Sequence, residues 1–344
     1  MSCQCVSPIL IKTAYIDKNR FLGEKKILHH DRILVTGGAG FIGSHIVEYL
    51  LNQARYVRVL DNFSTGKMEN LTHLLNNNGL EIIKGDIRDF DILMTAMKGV
   101  KWVFHQAALV SVPLSIKQPQ ISFDNNTLGT FNIFEAARRN NSIARIVFAS
   151  SAATYGDSKL LPLHENLPCI FLSPYALEKL YAEQLAALYY RLYEVSSVAL
   201  RYFNVYGPRQ DPKSQYSGAI SKFIDNLMNG KEINIYGDGE QTRDFVYVND
   251  VVRANVYAMK IAKKGAHIFN VATGRSVTIN QLVNLLQKIL NTHIEPKHQK
   301  PREGDIYHSQ ADVTKLYEQL GWCSKWNLEQ GLTELYSWLC QKRR

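Results

Sequence analysis

The chain lacks most of what would direct it to a membrane, a secretory route or a metal site. Only five of its 344 residues are cysteine. Of Cys3, Cys5, Cys169, Cys323 and Cys340, only the first two are close, and the second pair that a zinc site needs is missing. An odd, sparse set in a long chain points to free thiols in a reducing cytoplasm rather than a disulfide framework. No apolar run approaches the roughly 20 residues that span a bilayer, so no membrane association is expected. Residues 1–30 mix Lys12, Asp17, Lys18 and Arg20 into apolar stretches, unlike a signal peptide, and read as an N-terminal extension. His105, His164 and His308 have no partner at ligand spacing, so no metal is expected. There is no internal repeat, heptad run or low-complexity segment. The net charge of +9 is spread widely, with small clusters at Lys25-Lys26, Lys297 to Arg302 and Lys342 to Arg344. That distribution argues against nucleic acid as a partner and suits an anionic substrate such as a nucleotide diphosphate.

What is present is a core-forming composition, 46% hydrophobic and 21% charged, enough for one large domain or two lobes. From Arg32 to about Arg201, apolar strand-like runs recur between helical stretches: Arg32 to Val35, Val57 to Asp61, Glu81 to Ile87, Trp102 to His105, Arg145 to Ala149 and Ser197 to Leu200. Such alternation predicts an α/β fold with a doubly wound parallel sheet of the Rossmann kind over 31–203. After Asn204 the texture turns to loops with short elements, which predicts a smaller C-terminal α+β lobe over 204–244 and 273–344. The run Phe245 to Val248 and the strand His267 to Val271, within about 245–272, are expected to rejoin the first domain. Ligands of such sheets sit beyond the carboxyl ends of the strands, where Gly37, Asp61, Asp86, Gln106, Ser151 and Asn204 all fall.

The first strand runs into Gly37-Gly38-Ala39-Gly40-Phe41-Ile42-Gly43 and then a helical pattern. Strand, glycine turn and helix is the context in which G-x-G-x-x-G binds a dinucleotide, with the pyrophosphate at the positive helix end. Asp61 closes the second strand about 20 residues later, where a carboxylate accepts the adenosine ribose hydroxyls and repels a 2′-phosphate. NAD is therefore expected over NADP. Asp86, after the third strand, is placed for a carboxylate that meets the adenine amino group.

Tyr175 and Lys179 stand at i and i+4 in Ser173-Pro174-Tyr175-Ala176-Leu177-Glu178-Lys179, where serine then proline reads as the start of a helix. Their side chains share one face. A phenol needs a nearby cation to act as a base near neutrality, and Lys179 is placed to provide it. Ser151, at the end of a strand, offers a hydroxyl to the same substrate oxygen. Together they describe a proton relay at an alcohol carbon, beside a nicotinamide.

The segments TGGAGFIGSH (36–45), DNFSTG (61–66), GDIRD (85–89), HQAALVSVP (105–113), SSAATYGD (150–157), SPYALEK (173–179), RYFNVYGPRQDP (201–212), GDGEQTRDFVYVNDV (237–251) and PREGDIYHSQAD (301–312) resemble the extended short-chain dehydrogenase/reductase superfamily, and within it the nucleotide-sugar 4-epimerases. The likeness is strongest to the bacterial enzymes that interconvert UDP-N-acetylglucosamine and UDP-N-acetylgalactosamine, or the corresponding uronic acids, with the UDP-glucose/UDP-galactose 4-epimerases similar but less close. It implies Tyr175 as base at the sugar 4-hydroxyl, Lys179 on the nicotinamide ribose and Ser151 on the same hydroxyl. It implies cofactor contacts from Gly37, Gly40, Phe41, Ile42, Gly43, Asp61, Asn62, Phe63, Gly66, Asp86, Ile87, Gln106, Ala107, Ala108, Asn125 and Tyr202. For the UDP-sugar it implies Ser111, Asn204, Gln210, Gly218, Arg243, Arg302, Asp305 and Ser309, with the arginines on the diphosphate and Asp305 on the uridine ribose. Ser309 replaces the tyrosine of glucose/galactose-restricted relatives, which makes room for an N-acetyl group. Ala152-Ala153 cut the other way, because N-acetyl-specific relatives carry serines there. The same alanines replace the acidic pair of 4,6-dehydratases. A UDP-uronic acid decarboxylase and a non-catalytic NAD/UDP-sugar-binding protein are the alternatives, and relatives pair through their long helices into homodimers.

Overall fold

A computed structural model describes residues 31–53, 55–211, 218–301 and 306–343. The 1–30 extension, Arg302 and Asp305 lie outside the described residues. In chain order the strands are β1 (Arg32–Thr36), β2 (Tyr56–Asp61), β3 (Leu80–Lys84), β4 (Val100–His105), β5 (Arg145–Ser151), β6 (Ser197–Tyr202), β7 (Asn204–Tyr206), β8 (Asn234–Tyr236), β9 (Thr242–Tyr247), β10 (Ala266–Val271), β11 (Ser276–Thr278) and β12 (Lys297–Gln299). The helices are α1 (Phe41–Asn52), α2 (Phe90–Met97), α3 (Val112–Lys117), α4 (Pro119–Phe123), α5 (Gly129–Arg139), α6 (Pro174–Tyr193), α7 (Ala219–Met228), α8 (Val248–Ile261), α9 (Ile279–Leu290), α10 (Thr314–Leu320) and α11 (Leu328–Arg343).

Seven strands form one parallel sheet in the order β10-β6-β5-β4-β1-β2-β3. Chain direction through the sheet reverses between β1 and β4, which is where a doubly wound fold opens a crevice for its ligand. Both faces are covered, so the inner strands are mostly apolar on both sides, with a few buried polar residues such as Arg58, Arg145 and Arg201. Ile33, Val35, Val57, Val59 and Phe104 pack towards α1, α8 and α10. Leu34, Leu60, Val103, Ile146 and Phe148 pack towards α2, α5 and α6. Each such side chain contributes about 1.5–3 kcal/mol on burial. The guanidinium of Arg145, at the start of β5, donates to the carbonyls of Ala258, Met259, Ala262 and Lys263 at 2.5–3.1 Å and so satisfies the C-terminal end of α8.

A separate core gathers α7, α9 and α11 around β8 and β9. β10 pairs with β6, whereas β9 pairs with β7 and β11 in a small sheet of its own. The side chains of β9 explain this position. Phe245 and Tyr247 face the second core and Val246 faces the first, so the alternation of a single strand forms the seam between them.

Candidate active site

The turn between β1 and α1 has the conformation that glycine permits. Gly37 has φ +67°, and a Cβ there would come within 2.6 Å of the Ala107 amide nitrogen. A Cβ on Gly43 would overlap the Gly37 carbonyl oxygen, so α1 and the turn touch backbone to backbone. Gly40 caps α1 with no side-chain hydrogen bond, and the first turn contains no acidic residue. That leaves the positive end of a 12-residue helix free to take a phosphate. Phe41 and Ile42 follow in its first turn, half-buried.

Asp61 ends β2, as expected. Its carboxylate accepts from the amides of Ala39 at 2.9 Å and Phe63 at 2.8 Å, and Gly66 leaves it room, since a Cβ there would lie 2.8 Å from either oxygen. Burial raises the Asp61 pKa and these two amides oppose the rise. An open recess of about 600 Å³ lies alongside, lined by Phe63, Gly66, Lys67, Met68, Glu69, Ile82 and Lys84. Glycine turn, helix end, carboxylate and recess together fit an adenine dinucleotide. At the end of β3, Arg88 clasps Asp86 with two hydrogen bonds of 2.8–2.9 Å, and Asn62 adds one of 2.8 Å. Arg88 and these neighbours hold the Asp86 carboxyl down at about 2. Ile87 is buried against Gly129. Gln106, Ala107 and Ala108 follow β4. The Gln106 side chain accepts from the Tyr202 hydroxyl at 3.2 Å, which also meets Asn255 at 2.8–3.1 Å. Asn125 points its amide back into its own helix, to the Ile121 carbonyl at 2.8 Å.

Ser151, Tyr175 and Lys179 are brought together where β5 ends and α6 begins. Ser173 caps α6 through a 3.3 Å bond from the Ala176 amide, and Pro174 supplies its first residue. Tyr175 is 7% exposed. Burial pushes its phenol up to about 12, and a hydrogen bond with Ser151 works against that rise. The Lys179 ammonium donates to the Ala149 carbonyl at 2.9 Å and lies 5.7 Å from the Tyr175 ring centroid, within cation–π range. Ser151 thus lowers the phenol pKa against the effect of burial, while Lys179 lies over the ring. Burial lowers Lys179 to about 8, with Glu178 and Glu183 opposing. Beneath them, His105 is pushed down to about 3, chiefly by burial and further by Lys179, and bridges Thr36 and Thr130 as a neutral ring.

The residues expected on the sugar side form a second group. Asn204 donates to the Asp244 carbonyl at 3.3 Å, and Arg243 donates to the Thr242 carbonyl at 2.8 Å. The Ser309 amide meets the Thr242 hydroxyl at 3.4 Å and its side chain is buried. Gly218 caps α7 in open space, its nearest neighbour being Gln210 Nε2 at 4.0 Å from a built Cβ. Gln210 also accepts from Ser221 at 2.6 Å. Ser111 uses its hydroxyl to cap α3. Sequence reasoning missed Asp244, which is fully buried and raised to about 6 by burial. It accepts from Thr273, Gly274 and Ala311 and so fixes the strand that carries Arg243. An aspartate inside an apolar strand, Asp244 before Phe245-Val246-Tyr247, was the available signal.

Among the described residues no helix is long and apolar enough to cross a membrane, and no group of three or more His, Cys, Asp or Glu is arranged to hold a metal. The model of the NAD dependent epimerase/dehydratase family matches residues 33–272. A Methanocaldococcus jannaschii protein provisionally named a UDP-glucose 4-epimerase is 43% identical over 314 residues, covering 91% of this chain and 99% of that protein. The structure of UDP-N-acetylglucosamine 4-epimerase from Methanobrevibacter ruminantium M1 in complex with UDP-N-acetylmuramic acid aligns with a TM-score of 0.87 at 40% identity, over 91% of this chain and 99% of that one. UDP-glucose 4-epimerase from Thermotoga maritima with UDP-glucose aligns with 0.86 at 38% identity, over 91% and 100%. With the glycine turn, the Asp61 carboxylate and the Ser151, Tyr175 and Lys179 cluster set at the ends of one parallel sheet, the chain belongs to the NAD-dependent epimerase/dehydratase family.

Proposed function

We propose that this chain is an NAD-dependent UDP-sugar 4-epimerase whose preferred pair is UDP-N-acetylglucosamine and UDP-N-acetylgalactosamine. The observation that carries the chemistry is the buried cluster of Ser151, Tyr175 and Lys179 next to a glycine turn fit for a dinucleotide. NAD, which the glycine turn, the start of α1 and Asp61 would hold, would supply reversible hydride exchange at C4 of the sugar by way of a 4-keto sugar. Tyr175 takes the 4-hydroxyl proton and later gives it back, and Ser151, beside the phenol at the end of β5, orients that hydroxyl. Lys179 holds positive charge near the ring and reaches for the nicotinamide ribose. Asn204 and Arg243, with Arg302 and Asp305, grip the UDP, whose binding energy keeps the sugar at the cofactor while the keto intermediate turns. Arginine suits the diphosphate because its fork pairs with phosphate oxygens.

Substrate preference rests on Ser309 and Gly218. The side chain at 309 is small, and position 218 has none and faces open space, which suits an N-acetyl group at C2. On this reading 31–203 and 245–272 serve the cofactor, while 204–244 and 273–344 serve the UDP-sugar. We also propose a homodimer through α6, supported by the exposed Leu177, Tyr181, Leu188 and Leu192, which recur on one face at helical spacing. Proton NMR of the anomeric signals, with UDP-N-acetylglucosamine and UDP-glucose supplied separately and no NAD added, tests the function. The expected result is faster formation of the galacto-configured N-acetyl product. Faster turnover of UDP-glucose would overturn the preference, and inertness towards both, with carbon dioxide release from a UDP-uronic acid, would overturn the epimerase.

A further inference from the structure

Glu178 sits between the phenol and the ammonium in sequence and is 5% exposed. The neighbouring buried acid on the same helix, Glu183, is matched by a two-pronged contact from Arg201 at 2.6–2.8 Å. Glu178 is held instead by neutral donors: its Oε2 accepts from the Ser122 hydroxyl at 2.7 Å and from the Asn126 amide at 2.6 Å. Burying an anion is costly, and neutral donors offset that cost without cancelling the charge.

Asn126 carries the contact onward. Its Oδ1 accepts from the Leu109 amide at 2.8 Å and its Nδ2 donates to the Leu109 carbonyl at 3.1 Å, so it reads that backbone as a paired strand would. It lies in a π-helical turn, Asp124–Leu128, between α4 and α5. Such widened turns aim side chains that a regular helix would direct elsewhere. A second tie lies just beyond: Ser115 Oγ accepts from the Tyr175 amide at 3.2 Å. The loop bearing Ser111 is thus fastened to the Tyr175 helix on both sides, at Leu109 through Asn126 to Glu178, and at Ser115 directly.

We infer that Glu178 is a positioning residue for the epimerisation: it locks the loop carrying Ser111 to the helix carrying Tyr175 and Lys179, so that the sugar-facing wall and the proton acceptor move as one body. The inference rests on the proposed reading of Tyr175 as proton acceptor. Its charge has a consequence of its own. The charged or titratable groups facing Tyr175 and Lys179 are Glu178 and Glu183 from α6 and His105 from β4. His105 is neutral above about 3, Glu183 is matched by Arg201 and joins Glu178 in favouring the ammonium, and Glu178 is the acid that bears on the phenol and disfavours phenolate.

Two substitutions separate the roles. Glu178→Ala removes the acceptor, while Glu178→Gln keeps an oxygen for Ser122 and Asn126 and removes the charge. UDP-sugar affinity is measured by calorimetry in a Tyr175→Phe background, where turnover does not blur binding. Glu178→Ala is expected to weaken affinity about tenfold and Glu178→Gln to restore it to within about threefold, the range for losing or keeping a buried hydrogen-bonded anchor. With Tyr175 intact, the acid limb of kcat/KM should move to lower pH in Glu178→Gln, because phenolate forms more readily without the anion. Unchanged affinity in Glu178→Ala, or equal weakening in both variants, overturns the inference. If Glu178→Ala does not fold, Asn126→Ala in the same background decides, since it cuts the same link between Glu178 and Leu109, and unchanged affinity there overturns the inference. Turnover persisting in Tyr175→Phe alone overturns the underlying reading instead.

Discussion

The proposed cofactor half and the proposed sugar half of this site are built by different means. Around Gly37, Asp61 and Ala107 the backbone forms the surface: missing Cβ atoms, a bare helix end and amides that hold a carboxylate. Around Asn204, Arg243 and Ser309 the surface is made of side chains on short strands and loops, braced from behind by the buried Asp244. A backbone site can be spoiled by one methyl group but is little altered by exchange of side chains. A side-chain site can be re-cut one residue at a time, so substrate choice is expected to change more readily than cofactor choice.

That contrast is sharpest where the halves meet. Tyr175→Phe should lower kcat by about 10²–10⁴-fold while NAD stays bound, as steady-state rates and the absorbance of released cofactor would show. If cofactor is lost along with turnover, the two halves are not separable at this residue. Next in size is Gly37→Ala, which meets both a positive φ and the Ala107 backbone. It should lose NAD and more than about 2 kcal/mol of stability, read by denaturant titration. In the sugar half, Ser309→Tyr should fold normally and shift preference from the N-acetylhexosamine to the hexose by about tenfold or more in kcat/KM, because a filled pocket discriminates by volume. A stable Gly37→Ala protein that keeps its cofactor would erase the distinction.

A smaller effect is expected from His105 and His45, held neutral with folded pKa values of about 3 and about 4. Both lie below the unfolded value of 6.5, so between these limits the unfolded chain binds more protons. Stability is full above 6.5 and declines as the pH falls towards 4, by up to about 1.4 kcal/mol per unit for each ring. Asp244, raised to about 6, opposes this over pH 4–6 because there the folded state binds the extra proton, so thermal melts across pH 4–7 should show a net fall set by the two rings, and His105→Asn should flatten it. Smallest of all, Lys67→Ala breaks an exposed ion pair with Asp211 at 2.6 Å and should change stability by less than about 1 kcal/mol.

The same contrast explains what could be read in advance. The glycine turn, Asp61 and the Tyr175–Lys179 pair announce themselves because their chemistry depends on neighbours close in the chain, and the strand and helix periods around them place them at the carboxyl ends of the strands. Asp244 and Glu178 do not, because each acts through partners far away in sequence: Thr273 and Ala311 for one, Ser122 and Asn126 for the other. The placement of β9 was half legible for a related reason. Its alternation is visible in the sequence, but the fact that both faces are buried, each in a different core, depends on packing.

The last strand of the large sheet has a consequence for how the molecule is made. β10 pairs with β6 yet leaves the ribosome only after β7, β8 and β9. Until residues 266–271 emerge, the flank of β6 is an open parallel edge, the kind that recruits the wrong strand. Closure must wait for a contact far apart in sequence, which slows folding. A nascent chain halted before Ala266 should therefore be sticky, and one extended past Val271 should not.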